Sequence, residues 1–305
     1  MTNYIDLLHS KGLKFKAKIV LPEDNERISD AKKELKALGF SIISLNDYRS
    51  KIKTLIPFLK TKKFSKNWPD SKIESYINDN PIVLGMILVA KGEADALVAG
   101  ASTPTSEIIR HSIRIIGLRS DVKWLSSIFF MISNEGNKAY TYADCGVIPD
   151  PNSEQLCEIA KLSSEFHYLI TGEDPRVAFL SFSTKGSADH YRVNVVREAV
   201  SKFSNKFNII HDGEIQFDAA ISEEVALRKM EGSNLNGKAN VLIFPNLDAA
   251  NIAYKITERL AGFHAVGPLF QGLKKPVHDL SRGCSVEDIV KVSLIASIQS
   301  NHYKV

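Results

Sequence analysis

The sequence of 305 residues has few cysteines and no long apolar segment. Its cysteines are Cys145, Cys157 and Cys284, which form no Cys-x-x-Cys pair and whose odd number does not suggest a disulfide framework. Unpaired thiols are typical of a reducing compartment, so we expect a cytoplasmic protein. The longest apolar run, residues 81–90, is far shorter than the ~20 residues that span a bilayer. The first ten residues lack the apolar core of a signal peptide, so no membrane association is expected.

Positive and negative charges nearly balance, because the formal net charge is only +4. Nucleic-acid-binding proteins concentrate basic residues on one face or stripe, so we expect no nucleic-acid partner. A mild positive balance favours an anionic substrate, because clefts focus the electric field. The glycine-rich loops Gly-x-Gly-x-x-Gly and Gly-x-x-x-x-Gly-Lys-Ser/Thr are absent, so the common nucleotide-binding loops are excluded.

Short apolar runs alternate with longer helical patterns along the chain. The runs that predict β-strands are 17–21, 40–45, 94–99, 122–131, 176–181, 207–211 and 239–244. The segments that predict helices are 26–38, 105–116, 153–164, 189–202, 249–260 and 285–297. This alternation predicts an α/β protein with a mainly parallel sheet. The basic, poorly periodic segment 51–68 is interpreted as a surface connection.

A hydroxyl-rich turn, residues 100–106, separates a predicted strand from a predicted helix. Ligands of open α/β sheets bind at the carboxyl ends of the strands, and N–H groups at a helix start bind anions. Thr103, Thr105 and Ser106 can add hydroxyl donors, and Arg110 can add a bidentate phosphate contact. The alternative is ordinary helix capping beside a surface arginine.

A second hydroxyl-rich turn, residues 181–187, follows the strand Arg-Val-Ala-Phe-Leu. Ser183, Thr184 and Lys185 are candidates for substrate binding there, and the alternative is an ordinary polar loop.

Carboxylates concentrate in residues 211–218, where Asp212, Glu214 and Asp218 stand close together in the sequence. Three carboxylates can bind a divalent cation. Such residues more often form hydrogen bonds to loops or line a cleft, so we predict no metal site.

The fourth polar segment is Asp-Leu-Ser-Arg-Gly-Cys-Ser-Val-Glu-Asp, residues 279–288. Ser285 and Asp288 fit a capping box for the last predicted helix. Ser281 and Arg282 stand just before the helix start, where they can form hydrogen bonds to a developing oxyanion.

Six segments together resemble the phosphate acetyl/butyryltransferase family: ADALVAGA, YADCGV, FLSFSTKGS, DGEIQFDAAI, GKANVLIFPNLDAANIAYK and KPVHDLSRGCSVEDIV. They occur in the family's order, and the resemblance runs from residue 19 to residue 296. It implies two α/β domains with a cleft between them, as in the isocitrate/isopropylmalate dehydrogenase-like fold. The implied domains are 1–121 with 271–305, and 122–270. It further implies a homodimer with no cofactor, in which coenzyme A is a substrate.

The resemblance also implies roles for individual residues. The catalytic serine, arginine and aspartate of the family fall on Ser281, Arg282 and Asp288, and a substrate arginine falls on Arg110. The expected activity is that of a phosphate acetyltransferase, which interconverts acetyl-CoA and phosphate with acetyl phosphate and coenzyme A. A second family arginine has its nearest match at Lys60, which keeps the charge but loses the planar fork that grips phosphate. His111 stands where the family often has proline.

Direct attack of the coenzyme A thiolate needs a base. For free groups, proton transfer from a thiol to an aspartate is uphill by about 6 kcal/mol. Burial raises an aspartate pKa, and a neighbouring arginine and helix start lower a thiol pKa. On this basis Asp288 is the expected base, and Arg282 with Ser281 is expected to stabilise the oxyanion.

Several alternatives remain open from the residues. Cys284, beside an arginine at a helix start, could carry a covalent acyl group, although a packing role fits direct transfer better. A phosphate butyryltransferase differs only in pocket volume. A metal- and NAD-dependent dehydrogenase would use Asp212, Glu214 and Asp218 to bind its metal. A non-catalytic module would have the same fold without the activity.

Overall fold

The computed structural model describes residues 2–230 and 232–302 and shows helices and strands in alternation. The strands are β1 Lys18–Val20, β2 Ser41–Ile42, β3 Ala96–Ala99, β4 Ser126–Ile132, β5 Ala139–Ala143, β6 Arg176–Leu180, β7 Ile210–Ile215, β8 Val241–Ile243, β9 His264–Gln271 and β10 Val277–Asp279. The helices are α1 Tyr4–Phe15, α2 Glu26–Ala37, α3 Asn46–Arg49, α4 Ile56–Lys60, α5 Asp70–Asn78, α6 Pro81–Lys91, α7 Thr105–His111, α8 Ser153–Thr171, α9 Tyr191–Lys206, α10 Phe217–Ile221, α11 Glu223–Lys229, α12 Leu247–Ala261 and α13 Val286–His302. The mixed α/β class is therefore confirmed.

The described residues form two compact units. One combines residues 8–125 with the described part of 267–305, and the other combines the described part of 1–7 with 126–266. The domains implied by the resemblance were 1–121 with 271–305, and 122–270. The two divisions differ at three places, namely residues 1–7, 122–125 and 267–270. We name the units below by their longest segments, the 8–125 unit and the 126–266 unit.

The 8–125 unit contains a four-stranded parallel sheet in the order β10-β3-β1-β2. Its central strand β3 is buried along its whole length, as expected for a strand covered on both faces. Helix α13 is buried from Ile289 to Ser300 and packs on β3 and α2, and α6 is also apolar on nearly all sides. A helix that is hydrophobic all round lies in a protein core or in a membrane. None of the helices in the described ranges combines the length and hydropathy of a membrane span.

The 126–266 unit is built on a six-stranded sheet in the order β7-β6-β8-β5-β4-β9. Pairs β7–β6, β6–β8 and β8–β5 are parallel, whereas β4 and β5 form an antiparallel hairpin. The carboxyl ends of β6 and β8 therefore lie side by side at one edge of this sheet.

The interpretation of residues 51–68 as a surface connection was wrong. The segment forms a 3-10 turn at Ile52–Leu55 followed by α4. Ile52, Leu55, Ile56 and Leu59 in it are buried. The rings of Phe64, Trp68 and Tyr76 form an edge-to-face cluster with centroids 5.2–6.1 Å apart. Burial of the four aliphatic side chains, beside this half-buried aromatic cluster, makes the segment part of the 8–125 unit's core.

Candidate active site

Three polar turns meet at one edge of the parallel sheet in the 8–125 unit. Residues 21–24 follow β1, residues 100–104 follow β3, and residues 280–285 follow β10. Because β10, β3 and β1 are neighbours and parallel, these turns are adjacent. Ligands of open α/β sheets bind at this edge.

The carboxylate of Glu23 occupies the turn after β3. Its Oε2 accepts hydrogen bonds from the N–H groups of Gly100 and Ala101 at 2.9 and 2.8 Å. Its Oε1 accepts from the N–H and the hydroxyl of Ser102, both at 2.9 Å, and from the Thr103 N–H at 2.8 Å. Burial alone would raise the pKa of Glu23, but the hydrogen bonds from Ser102 and Thr103 outweigh it and hold the pKa below its usual value. The carboxylate of Glu23 therefore accepts the hydrogen bonds of the backbone N–H groups in this turn.

Arg27, at the start of α2, connects two of the turns. Its Nη1 donates to the carbonyl oxygens of Arg282 and Cys284 at 2.9 and 2.6 Å, and its Nη2 donates to the Ala101 carbonyl at 3.3 Å. Arginine suits this role because its rigid fork presents several donors at once. Arg27 thus fixes the turn after β10 relative to the turn after β3.

Asp279 ends β10 and is fully buried. Its Oδ2 accepts a hydrogen bond from the Thr105 hydroxyl at 2.5 Å, while its Oδ1 has no partner in the described residues. A Cβ on Gly100, whose φ is +115°, would lie 2.0 Å from that oxygen, so only glycine fits there. Burial raises the pKa of Asp279 from 3.8 to about 7; the hydrogen bond from Thr105 opposes this shift, and the charge of Glu23 adds to it.

We expect Asp279→Asn to remove part of the pH dependence of stability. The raised pKa means that the folded state holds a proton that the unfolded state releases above about pH 4. As pH rises from 4 to 7, the free energy of unfolding of the wild type should therefore fall relative to that of the variant. Above pH 7 the difference between the two proteins should stay constant. Urea unfolding of both proteins at four pH values between 4.5 and 7.5 measures this difference. Curves that stay parallel over the whole range would show that Asp279 titrates normally.

The residues predicted to be catalytic lie in the turn after β10 and at the start of α13. Ser285 and Asp288 form the predicted capping box: Asp288 Oδ2 accepts from the Ser285 N–H at 2.8 Å, and the Asp288 N–H donates to the Ser285 hydroxyl at 3.1 Å. Ser281 and Arg282 are exposed. The Ser281 Oγ accepts only a long bond from the Gly283 N–H, 3.3 Å. In the described part of the chain, neither the Arg282 guanidinium nor Asp288 Oδ1 has a hydrogen-bond partner.

The residues predicted to bind phosphate divide into two groups. The Thr105 hydroxyl is committed to Asp279, and Thr103 is committed to Glu23. Ser106 and Arg110 are exposed on α7, four residues apart, and their side chains form no hydrogen bond or ion pair within the described ranges. Substrate contact by all four stays a prediction, and Ser106 and Arg110 are the two with polar groups available for it.

Cys284 is only 5% exposed. Burial raises the pKa of its thiol, although Arg27, whose Nη1 lies 3.6 Å from the Sγ, acts in the opposite direction. A raised pKa reduces the thiolate fraction that nucleophilic catalysis requires. The environment of Cys284 therefore favours the packing role over covalent catalysis.

Cys284→Ala is accordingly expected to keep turnover within about twofold of the wild type, since direct transfer needs no protein thiol. Steady-state rates and the intact mass of wild-type protein mixed with the acyl donor alone check this. An acyl adduct on the wild-type protein, together with an inactive variant, would establish a covalent route.

Two of the positions that depart from the family pattern, Lys60 and His111, have partners within the chain. Lys60 forms an ion pair with Asp70. His111 is buried, with its Nδ1 3.0 Å from the Tyr76 hydroxyl and its Nε2 3.6 Å from Glu107 Oε1. Burial lowers the pKa of His111. His111 thus packs α7 against α5, whereas the Lys60–Asp70 ion pair lies on the surface and links α4 with α5.

The second hydroxyl-rich turn lies in the 126–266 unit and is held by internal bonds. Ser183 donates to Glu214 Oε1 at 3.0 Å, Thr184 accepts from the Gln216 N–H at 2.9 Å, and Lys185 pairs with Asp212. Ser183 and Thr184 are buried. Their predicted substrate contacts stay a prediction, while the structural role of these bonds is to fix the turn after β6.

The carboxylates considered for a metal are each paired with a cation of the chain. Asp212 pairs with Lys185, Glu214 with Arg197 at 2.9 Å, and Asp218 with Lys229 at 2.8 Å. Burial acts to raise the pKa of Glu214, but hydrogen bonds led by Arg197 lower it to about 2. Within residues 2–230 and 232–302, no group of three or more His, Cys, Asp and Glu side chains is arranged to hold a metal ion.

Sequence reasoning missed Glu23, Arg27 and Asp279 as parts of this site. A signal existed for Glu23, because a Leu-Pro-Glu-Asp turn directly after a strand places a carboxylate at the ligand-binding edge. The partner of that carboxylate lies 77 residues away, and no local pattern indicates it.

Comparison with known proteins agrees with this architecture. The family model for phosphate acetyl/butaryl transferase matches residues 6–297. The chain is 40% identical to a phosphate acetyltransferase of Acetivibrio thermocellus, over 98% of this chain and 90% of the other. The EutD phosphotransacetylase from Staphylococcus aureus superposes with a TM-score of 0.82 and 36% identity, covering 98% of this chain and all of that chain. A phosphotransacetylase from Streptococcus pyogenes gives 0.86 and 34%, covering 99% and 100%.

The chain belongs to the phosphate acetyl/butyryl transferase family. It is therefore an enzyme that transfers acyl groups, and the predicted resemblance is confirmed.

Proposed function

We propose that this enzyme is a phosphate acetyltransferase that interconverts acetyl-CoA and phosphate with acetyl phosphate and coenzyme A. The observation that supports this most is the strand-end group of Ser281, Arg282 and Asp288. Arg282 presents a guanidinium with no partner in the described residues, close in sequence to a carboxylate anchored through one oxygen only. Phosphate and acetyl-CoA are the proposed substrates, without a further cofactor.

The proposed reaction is direct transfer in a ternary complex. The coenzyme A sulfur attacks the acyl carbon of acetyl phosphate, so that a C–S bond forms and the C–O bond to phosphate breaks. Asp288 Oδ1 takes the thiol proton, because Oδ2 is committed to Ser285. Arg282 and Ser281 donate hydrogen bonds to the oxyanion of the tetrahedral intermediate. Arg110 and Ser106 bind the leaving phosphate.

Thiol deprotonation is the costly step, because transfer to a free aspartate is uphill by about 6 kcal/mol. The unpartnered Arg282 guanidinium supports a lowered thiol pKa when coenzyme A is bound. Holding both reactants in one orientation supplies much of the remaining barrier.

A homodimer is part of the proposal. Ile252, Ile256 and Leu260 form a stripe of exposed aliphatic side chains on α12, with exposed fractions of 57%, 52% and 83%. Their spacing of four residues places them on one face, and exposed apolar patches mark interaction surfaces. We propose that a second copy of the chain covers this stripe; Ile256→Asp should then shift the sedimenting species from dimer towards monomer.

A cytoplasmic location is also proposed, supported by the three unpaired thiols.

A phosphate butyryltransferase is the second candidate, since the family includes both activities. One methylene changes discrimination by only ~1–3 kcal/mol in an apolar pocket. Measured acyl preference therefore has to decide between the two substrates.

The test is thioester formation from coenzyme A and either acetyl phosphate or butyryl phosphate, with a metal chelator present. We expect rapid thioester formation from acetyl phosphate. A strong preference for butyryl phosphate would change the substrate and keep the mechanism. Absence of thioester from both, with folded protein, would refute the proposed function.

A further inference from the structure

A cavity of about 370 Å³ in the 8–125 unit lies at the carboxyl ends of the parallel strands β1 and β2. The turn after β1 and the segment after β2, residues 21–24 and 42–46, form much of its lining. Ligands of open α/β sheets bind at such strand ends, and ligand cavities have volumes of about 300–1,000 Å³. The described residues that line it include none of those proposed above to contact substrate.

Three cationic side chains belong to the lining of this cavity. Lys32 and Lys36 are four residues apart on α2, which places them on the same face of that helix. Arg49 contributes from the end of α3, which follows β2. Cations that converge on a cleft raise the local concentration of anions, so this lining favours a negatively charged ligand.

The polar groups of these three cations are largely available to a ligand. Within the described ranges, the Lys36 side chain forms no hydrogen bond or ion pair. Lys32 Nζ donates a long hydrogen bond to the Glu23 carbonyl oxygen, 3.4 Å. Arg49 Nε donates to Asn46 Oδ1 at 3.2 Å, an uncharged acceptor, which orients the guanidinium and leaves its charge in place.

The carboxylates of the lining neutralise this positive charge only in part. Glu23 and Asp24 both belong to the lining, but the Glu23 carboxylate accepts the hydrogen bonds of the turn after β3. Burial lowers the pKa of Lys32; the charge of Asp24 opposes this shift, and the charge of Lys36 adds to it. The two lysines therefore repel each other, and an anion bound between them would relieve that repulsion.

We propose that this cavity is a second binding site, for a small aliphatic anion that carries at least two phosphate or carboxylate groups. Lys32 and Lys36 bind one of the charged groups, and Arg49 binds another through its free nitrogens. The apolar part of the lining is aliphatic and includes Leu21, Ile43 and Leu45, which suits a short carbon skeleton between the charged groups. The site is separate from the proposed acyl transfer and does not depend on it.

Citrate and 3-phosphoglycerate are the probes, because the first carries carboxylates alone and the second carries a phosphate as well. Calorimetric titration of the wild type should show binding of at least one probe, much tighter than that of acetate, which has a single charge. Lys36→Gln should weaken this binding about tenfold, because it removes one charge-assisted hydrogen bond. Lys33→Gln is the matched control: the Lys33 side chain is 79% exposed on the same helix and pairs with Asp30 outside the cavity, so binding should equal that of the wild type.

A change of opposite sign is expected at Asp24. Asp24→Asn removes a negative charge from the lining, so binding of the same probe should become tighter. Urea unfolding of each variant confirms that the fold is kept. Absence of binding of both probes to the wild type, or equal affinities of the wild type and Lys36→Gln, would overturn the inference. The titrations involve no acyl transfer, so the proposed function fails separately, through the absence of thioester.

Discussion

Replacing Asp288 by asparagine is expected to lower kcat by roughly 10²–10⁴-fold, the usual contribution of a general base. Asparagine keeps an oxygen that can accept from the Ser285 N–H, so the start of α13 should persist. The apparent affinity for acetyl phosphate should change little, because Asp288 is proposed to act on the thiol. Initial rates at varied acetyl phosphate, with coenzyme A saturating, measure both quantities.

Ser285→Ala provides the control for this experiment. The Ser285 hydroxyl accepts a hydrogen bond from the Asp288 N–H at 3.1 Å and donates one to the Asp288 carboxylate at 2.9 Å. The substitution removes this hydroxyl and leaves the carboxylate in place. Loss of the cap should cost about 0.5–2 kcal/mol of stability, with most of the turnover retained. Wild-type turnover in Asp288→Asn, or equal losses in the two variants, would remove Asp288 from the role of base.

The second large effect is expected at Glu23. In Glu23→Gln one acceptor oxygen becomes an NH₂ group that faces two backbone N–H donors. Leaving a buried donor without an acceptor costs about 1–3 kcal/mol, so for two donors we expect a loss of roughly 2–6 kcal/mol in the free energy of unfolding. The turn of residues 100–103 should also move, and a displacement of about 1 Å near a reaction centre can cost 10²-fold in rate.

Urea unfolding and steady-state kinetics of Glu23→Gln separate these two effects. Asp24→Asn is the matched control, because Asp24 is the exposed neighbour of the buried Glu23. Equal stability and equal kcat/KM in Glu23→Gln and Asp24→Asn would show that the amide contacts of Glu23 do not position the turn.

Much of the fold was accessible from local patterns. The prediction of strand 176–181 agrees with β6, and the Ser285–Asp288 capping box was read from a three-residue spacing. The segment 51–68 was misread because its lysines obscured the apolar positions 52, 55, 56 and 59, which follow helical spacing. Contacts between residues far apart in the sequence explain the other differences between prediction and structure. An anion site was expected at residues 103–106, and the structure places the carboxylate of Glu23 in the turn leading to it.

The catalytic assignments have a different origin. Patterns alone left Ser281 and Arg282 as candidates, and the family resemblance gave them roles. The structure adds which side chains are committed elsewhere: Thr103, Thr105 and Lys60 have internal partners, whereas Arg110 and Arg282 have none in the described residues. Whether a polar side chain already has a partner within the chain depends on the folded geometry, and sequence spacing does not indicate it.

The most direct test of the central claim measures thioester and inorganic phosphate in one reaction. Coenzyme A and acetyl phosphate are mixed with the wild type or with Asp288→Asn, in the presence of a chelator. The account predicts equal amounts of acetyl-CoA and phosphate from the wild type, at a rate that falls strongly in the variant. Phosphate release without thioester, or no reaction by folded wild-type protein, would contradict it.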